Sequence, residues 1–176
     1  MGLFLGILLL QWQAHESRIA NEATTAVWLM PVYNNTVLFY KNKKTLSVFS
    51  SEDMARNNRL VEEFQNEFSI DTIAIEGLKN SYTLEDKTLF FIDSLWAEGF
   101  DFKKQKNLLV LTKNTKVNLE AILLQNDVDQ IIADGSSYPS FKNRWEKTCN
   151  QFDVPFYDTQ KEGPYLLSTK TRNIGF

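Results

Sequence analysis

Residues 107–167 alternate between short apolar runs and longer amphipathic ones, and no other feature of the chain narrows its fold as far. NLLVLT reads as a strand, NLEAILLQN as a helix, DQIIAD as a strand and SFKNRWEKTCNQF as a helix, with VPFYD and PYLLST as closing strands. Strand, helix and strand in succession predict βαβ units with right-handed crossovers. Asn118 is placed to cap the first helix, with Val117 and Ile122 as a hydrophobic staple around it. Ser140 is placed to cap the second. On that helix Phe141, Trp145, Cys149 and Phe152 share an apolar face, which leaves Lys142, Arg144 and Glu146 as the more exposed positions.

The first half is punctuated differently. TAVWLMPVY, NTVLFYK and TLSVFS, within residues 25–50, are rich in β-branched and aromatic residues and predict a β-meander. Pro31 points to a first strand that lies at an edge or ends in a bulge. Ser50 or Ser51 is placed to cap a helix with Glu52 and Asp53 in its first turn and Met54, Val61, Phe64 and Phe68 on its apolar face. DTIAIEG and KTLFFID follow as strands, separated by the polar segment LKNSYTLED. LWAEGFDFKKQKN reads as a loop whose Lys103, Lys104 and Lys106 form a basic run, and TKTRNIGF as a frayed tail.

With no repeat or linker to divide them, residues 24–176 read as a single soluble α/β domain. The expected fold is mixed α/β, a β-meander followed by βαβ units and preceded by an N-terminal apolar helix. That helix, residues 1–23, begins MGLFLGILLL, about half of the roughly 20 apolar residues that span a bilayer. No Lys or Arg precedes Arg18, so the run lacks the basic start of a secretory signal. Part of a transmembrane helix, a short anchor and a buried apolar helix all fit it, and Trp12 suits a membrane interface.

Residue counts exclude more chemistry than they suggest. The only histidine is His15 and the only cysteine Cys149, so neither a His-based triad nor a zinc site of several His or Cys ligands can be assembled. A formal net charge of -3 argues against a general nucleic-acid coat. Neither a G-x-x-x-x-G-K nor a G-x-G-x-x-G loop is present.

The best candidate site is Asp134-Gly135-Ser136-Ser137, which follows the strand DQIIA and so stands at a strand's carboxyl end. Functionally, the acid would hold a metal or a proton while hydroxyls and loop amides hold an anion. Structurally, Asp, Gly and Ser are turn formers, and no histidine base accompanies the serines. Asp93, Asp101, Asp153 and Asp158 are further acids, but no tight pair of them ends a strand. We therefore assign no catalytic, cofactor-binding or metal-binding residue. Asp134, Gly135, Ser136, Ser137, Tyr138 and Arg144 remain as a candidate polar contact surface.

Residues 108–167 carry a family likeness. A strand, an "NL" helix, an "IADGSNY" turn, an "RW...TC" helix and a "PFH.T...G" ending are similar to the extreme C-terminus of ComEC-type competence proteins of the Bacteroidetes kind. The matching residues are Asn118-Leu119, Ile132-Ala133-Asp134-Gly135-Ser136, Tyr138, Arg144-Trp145, Thr148-Cys149, Pro155-Phe156, Thr159 and Gly163. The resemblance implies part of an inner-membrane protein that passes single-stranded DNA into the cell during natural transformation. Many such proteins end in a metallo-β-lactamase-like domain with an H-x-H-x-D-H motif. This chain lacks that motif and has LTKNTKVN, residues 111–118, where a "GHHGS" loop is expected. The resemblance thus implies a degenerate, metal-free domain without a cofactor. Its implied partners are the membrane channel portion of the same system, the membrane through the apolar N-terminus, and single- or double-stranded DNA held weakly. The implied location is the inner membrane, with the domain on the periplasmic side. Two alternatives stay open: a metal-dependent hydrolase or nuclease using Asp134, and an unrelated small membrane-anchored envelope protein.

Overall fold

A computed structural model of the chain describes residues 25–54, 58–84, 87–93 and 106–169. The apolar N-terminal segment with His15, the loop carrying Asp101, Lys103 and Lys104, and the tail beyond Thr169 lie outside the described residues. The fold is mixed α/β, with ten strands in two sheets and four helices among the described residues.

The first sheet has the order β10-β1-β2-β3-β4, formed by β1 (Thr25–Met30), β2 (Val37–Asn42), β3 (Thr45–Ser50), β4 (Thr72–Gly77) and β10 (Tyr165–Thr169). β1, β2 and β3 pair antiparallel as the expected meander. β4 returns parallel to β3 after the helix α1 (Arg59–Phe68). The second sheet has the order β5-β6-β7-β8-β9: β5 (Ser81–Thr83), β6 (Lys87–Ile92), β7 (Lys106–Leu111), β8 (Gln130–Ala133) and β9 (Phe156–Asp158). From β6 to β9 every pairing is parallel. The connections after β7 and β8 carry α2 (Leu119–Gln125) and α3 (Pro139–Gln151), and α4 (Thr159–Glu162) follows β9.

Strand alternation sorts the side chains into three apolar layers. Val27, Leu29, Leu38 and Phe49 of the first sheet face Leu89, Phe91, Leu108, Val110 and Ile132 of the second, forming a core between the sheets. The opposite face of the first sheet, with Met30, Val37, Phe39 and Val48, packs on Val61 and Phe64 of α1. The opposite face of the second, with Phe90, Ile92, Leu109, Leu111 and Ile131, packs on Leu119, Trp145 and Cys149 of α2 and α3. Both faces of both sheets are therefore covered, which explains why the strands read as continuous apolar runs.

Several local expectations are corrected. β1 is not an edge strand: β10 pairs along it, Trp28 opposite Leu166, and Pro31 falls just past its end. A sequence-distant partner covers the edge that the proline suggested was open. The polar break between the expected strands contains β5, because Tyr82 reaches the core between the sheets. Ser50 and Ser51 cap no helix. Ser50 still pairs with Val37, and the Ser51 hydroxyl accepts the Thr36 N–H at 3.2 Å. α1 starts eight residues later than Ser51 by its own cap, the Asn58 side chain accepting the Leu60 N–H at 3.0 Å. Met54 is buried against the same face but outside the helix.

α2 begins as expected, with the Asn118 side chain accepting the Ala121 N–H at 3.2 Å. α3 does not. Its N-cap is Tyr138, without a side-chain bond, and Pro139 opens the helix because its fixed φ already suits the first helical position. Ser140 is thus inside the first turn rather than before it.

Candidate functional site

The parallel strands bring their carboxyl ends together on one side of the second sheet, and two buried carboxylates stand there, Asp134 after β8 and Asp158 ending β9. Asp134 is wholly buried. Its Oδ1 accepts the Ser136 N–H at 3.0 Å and the Ser136 hydroxyl at 2.6 Å, and its Oδ2 accepts the Thr36 hydroxyl. None of these partners is an acid or a base.

The turn is fastened to three further segments. The Ser136 hydroxyl oxygen accepts the Lys113 N–H at 2.7 Å, and that of Ser137 accepts the Asn114 N–H at 3.2 Å. The Asn114 side-chain oxygen accepts the Tyr138 N–H at 2.6 Å. Gln160, in α4, donates to the Gly135 carbonyl at 3.2 Å. Thr36 belongs to the β1–β2 turn, so the Asp134 bond crosses from one sheet to the other. Gly135 is required where that turn closes on it. A Cβ at Gly135 would stand 2.2 Å from the Val32 carbonyl oxygen and 2.8 Å from the Val32 nitrogen, both backbone atoms.

Lys142 corrects the expectation that it is exposed. It is 1% exposed, and its ammonium donates to Asp158 Oδ1 at 2.7 Å and to the Gln160 side-chain oxygen at 3.0 Å. Lys142, Trp145 and Cys149 stand at i, i+3 and i+7, so the residue lies on the buried stripe rather than beside it. That spacing was the available signal. What it lacked was a partner, because Asp158 is sixteen residues away and reaches Lys142 only through β9 pairing with β8.

Electrostatics follow from these surroundings. Burial raises the Asp134 carboxyl from its usual 3.8 to about 6, against the opposing pull of the Ser136 and Thr36 hydrogen bonds and the Lys142 charge. Burial likewise pushes the Cys149 thiol up to about 12, so it stays protonated and packs as an apolar group. Of the six candidate surface residues, Asp134, Gly135, Ser136 and Ser137 are buried, while Tyr138 and Arg144 are exposed. The Arg144 guanidinium lies 5.1 Å from the centre of the Phe141 ring.

Beside the network an open cleft of about 240 Å³ separates the sheet ends, lined by Thr36, Ser51, Lys79, Asp93, Thr112 and Lys113 among others. It adjoins a wider depression bordered by Glu52, Asp53 and Glu76. The Lys113 ammonium pairs with Glu52 at 3.2 Å across this region. Among the described residues no three His, Cys, Asp or Glu side chains are grouped so that they could hold a metal ion.

The family model of the ComEC C-terminal domain matches residues 28–169, from the first strand of the meander to the last residue of β10. The chain belongs to that family. No curated protein and no solved structure matches it. The ComEC C-terminal domain is part of the competence protein for DNA uptake. In this ComEC domain the residues that carry the likeness have clear structural duties. Asp134, Gly135 and Ser136 join the sheets, Trp145 and Cys149 fill the layer under α3, and Thr159 is buried at the start of α4. Among the described residues no helix is long and apolar enough to cross a membrane.

Proposed function

We propose that residues 24–176 are one non-catalytic soluble domain of a ComEC-type DNA-uptake protein, docking on the membrane channel portion of the same system during natural transformation. The apolar segment 1–23 tethers it to the inner membrane, with the domain on the periplasmic side. Tyr138 and Arg144, the exposed part of the candidate surface, are contact residues. Contact with DNA is weak, in keeping with a formal net charge of -3.

The observation that carries the non-catalytic reading is the enclosure of Asp134. A metal-binding or proton-transferring acid must reach its substrate, whereas both oxygens of Asp134 are occupied by Thr36 and Ser136 inside the fold. Two helix-flanked sheets packed face to face support kinship with the metallo-β-lactamase-like domain in degenerate form, with LTKNTKVN in place of the metal-binding loop.

The test is hydrolysis of labelled single- and double-stranded DNA by the full chain with Mn²⁺ or Zn²⁺. No cleavage above the protein-free control is expected. Cleavage that disappears in Asp134→Asn, a variant that preserves the shape of the turn, would sink this reading in favour of a metal-dependent nuclease.

A further inference from the structure

Asp134, Asp158 and Lys142 are buried together where β8 and β9 end. Asp158 pairs with Ala133 across the two strands, so Asp134 stands one residue beyond that pair. The Gln160 side chain links the groups, accepting from the Lys142 ammonium at 3.0 Å and donating to the Gly135 carbonyl at 3.2 Å. One ammonium and two carboxyls are neutral as a set only when one carboxyl keeps a proton. Lys142 is committed to Asp158 at 2.7 Å, which leaves the proton to Asp134.

Among the described residues no cation lies at ion-pair distance from Asp134 to change that count. The β1–β2 turn, residues 31–36, has no ionisable side chain except Tyr33, which is exposed. In the β7–α2 turn Lys113 and Lys116 are exposed, and the Lys113 ammonium is turned to Glu52 at 3.2 Å. On α3, Arg144 is exposed. Beyond Asp158, Glu162 accepts the Asp158 N–H at 2.9 Å, and Lys161 pairs with Glu146 at the surface. Asp93 lines the adjoining cleft and is an acid, not a countercharge.

Asp134 is also where the two sheets are fastened at this end. It accepts the hydroxyl of Thr36 in the β1–β2 turn, and Thr36 donates its N–H to the Ser51 hydroxyl at 3.2 Å. Thr36 and Ser51 both line the cleft of about 240 Å³ between the sheet ends. A protonated Asp134 shares its bond with Thr36 without placing a net charge in the core. An ionised one does place it there, and water reaches that charge only when the turn 31–36 lifts from residues 134–136. Because the bond crosses from sheet to sheet, this movement widens the cleft. It uncovers a lone carboxylate, without the grouped acids that would hold a metal ion.

We propose that the Thr36–Asp134 contact is a proton-operated latch between the two sheets, closed while Asp134 is protonated and loosened when it ionises, with the turn 31–36 as its moving part. The latch is independent of the DNA-uptake reading. Its sign follows from the carboxyl, which stands at about 6 when enclosed and returns toward the ordinary 3.8 when open to water. The closed state holds the proton more tightly, so its advantage is lost as pH rises through about 6.

Amide hydrogen exchange of the full chain, read by mass spectrometry and corrected at each pH for the intrinsic rate, tests it. Protection of residues 32–36 should fall about tenfold between about pH 5 and about pH 8. Low concentrations of urea should leave this exchange unchanged while speeding that of β7, which opens only with the whole fold. In Asp134→Asn, whose carboxamide keeps the shape of the turn but cannot ionise, protection of residues 32–36 should not vary with pH. Thr36→Val, which deletes the partner hydroxyl at nearly constant shape, should lower that protection about fivefold already at about pH 5. A turn whose protection is independent of pH in the parent chain overturns the latch. So does an equal fall in Asp134→Asn, which assigns the titration to another group. A turn that exchanges at the rate of β7 and follows urea with it opens only by global unfolding, which also overturns the latch. Should Asp134→Asn fail to fold, Thr36→Val decides, because parent-level protection there shows that the contact holds nothing.

Discussion

The carboxyl ends of β8 and β9 lie side by side, and each buries an aspartate, yet the two are satisfied in opposite ways. Asp158 faces the Lys142 ammonium at 2.7 Å, so charge answers charge. Asp134 faces two hydroxyls and an amide, so its ionised form is held by neutral donors alone at hydrogen-bond distance. The two positions are one register step apart, Asp158 pairing with Ala133, and the difference shows that neighbouring ends of parallel strands need not share a chemistry. What decides is which distant segment arrives: α3 brings an ammonium to Asp158, while the β1–β2 turn of the other sheet brings a threonine to Asp134.

The sharpest way to break this contrast is to remove the ammonium. Lys142→Met leaves Asp158 buried without its countercharge and should cost about 3–5 kcal/mol in urea unfolding, most of it recovered in the double variant Lys142→Met/Asp158→Asn. Next in size is the proton linkage of Asp134. Its folded value, about 6, lies above the ordinary 3.8, so the folded state holds the proton more tightly than the unfolded one. That contribution is fully present below the unfolded value and is lost as pH rises through about 6, amounting to about 3 kcal/mol. The difference in unfolding free energy between the parent chain and Asp134→Asn, measured from pH 4 to 7, should therefore fall as pH rises. A flat difference would mean that Asp134 does not titrate as its burial requires.

The joint between the sheets can be attacked without touching either charge. Gly135→Ala drives a methyl group into the Val32 backbone, which cannot swing aside as a flexible side chain would, and should cost about 1–3 kcal/mol. Gly77→Ala is the contrast: a Cβ there meets nothing within 4 Å, so its change should be small. The smallest effects separate the two helices. Asn118→Ala should lose about 1 kcal/mol of capping, while Ser140→Ala, lying inside its helix, should be close to neutral by the same measurement.

The fold was legible wherever its signal was local. Runs rich in β-branched and aromatic residues gave the meander, the alternation after residue 107 gave the βαβ units, and Asn118 announced its own helix. Boundaries failed where a distant segment intervened. Ser50 and Ser51 looked like caps until the β1–β2 turn claimed them, and Pro31 looked like an edge until β10 covered it. The candidate site divided in the same way. Asp134-Gly135-Ser136 was visible as a strand-to-helix turn, but its burial was not, because Val32 and Thr36 lie about a hundred residues earlier.

By itself, then, the sequence determined which runs become strands and helices and, through its single histidine and single cysteine, which chemistries have no residues to perform them. Both follow from local backbone preference and from composition, neither of which depends on what folds against what. Only the tertiary structure decided that Lys142 is buried and that Asp134 is a joint rather than an open acid. Burial and pairing are properties of segments brought together across the two sheets, and no local pattern encodes a partner that arrives from the other end of the chain.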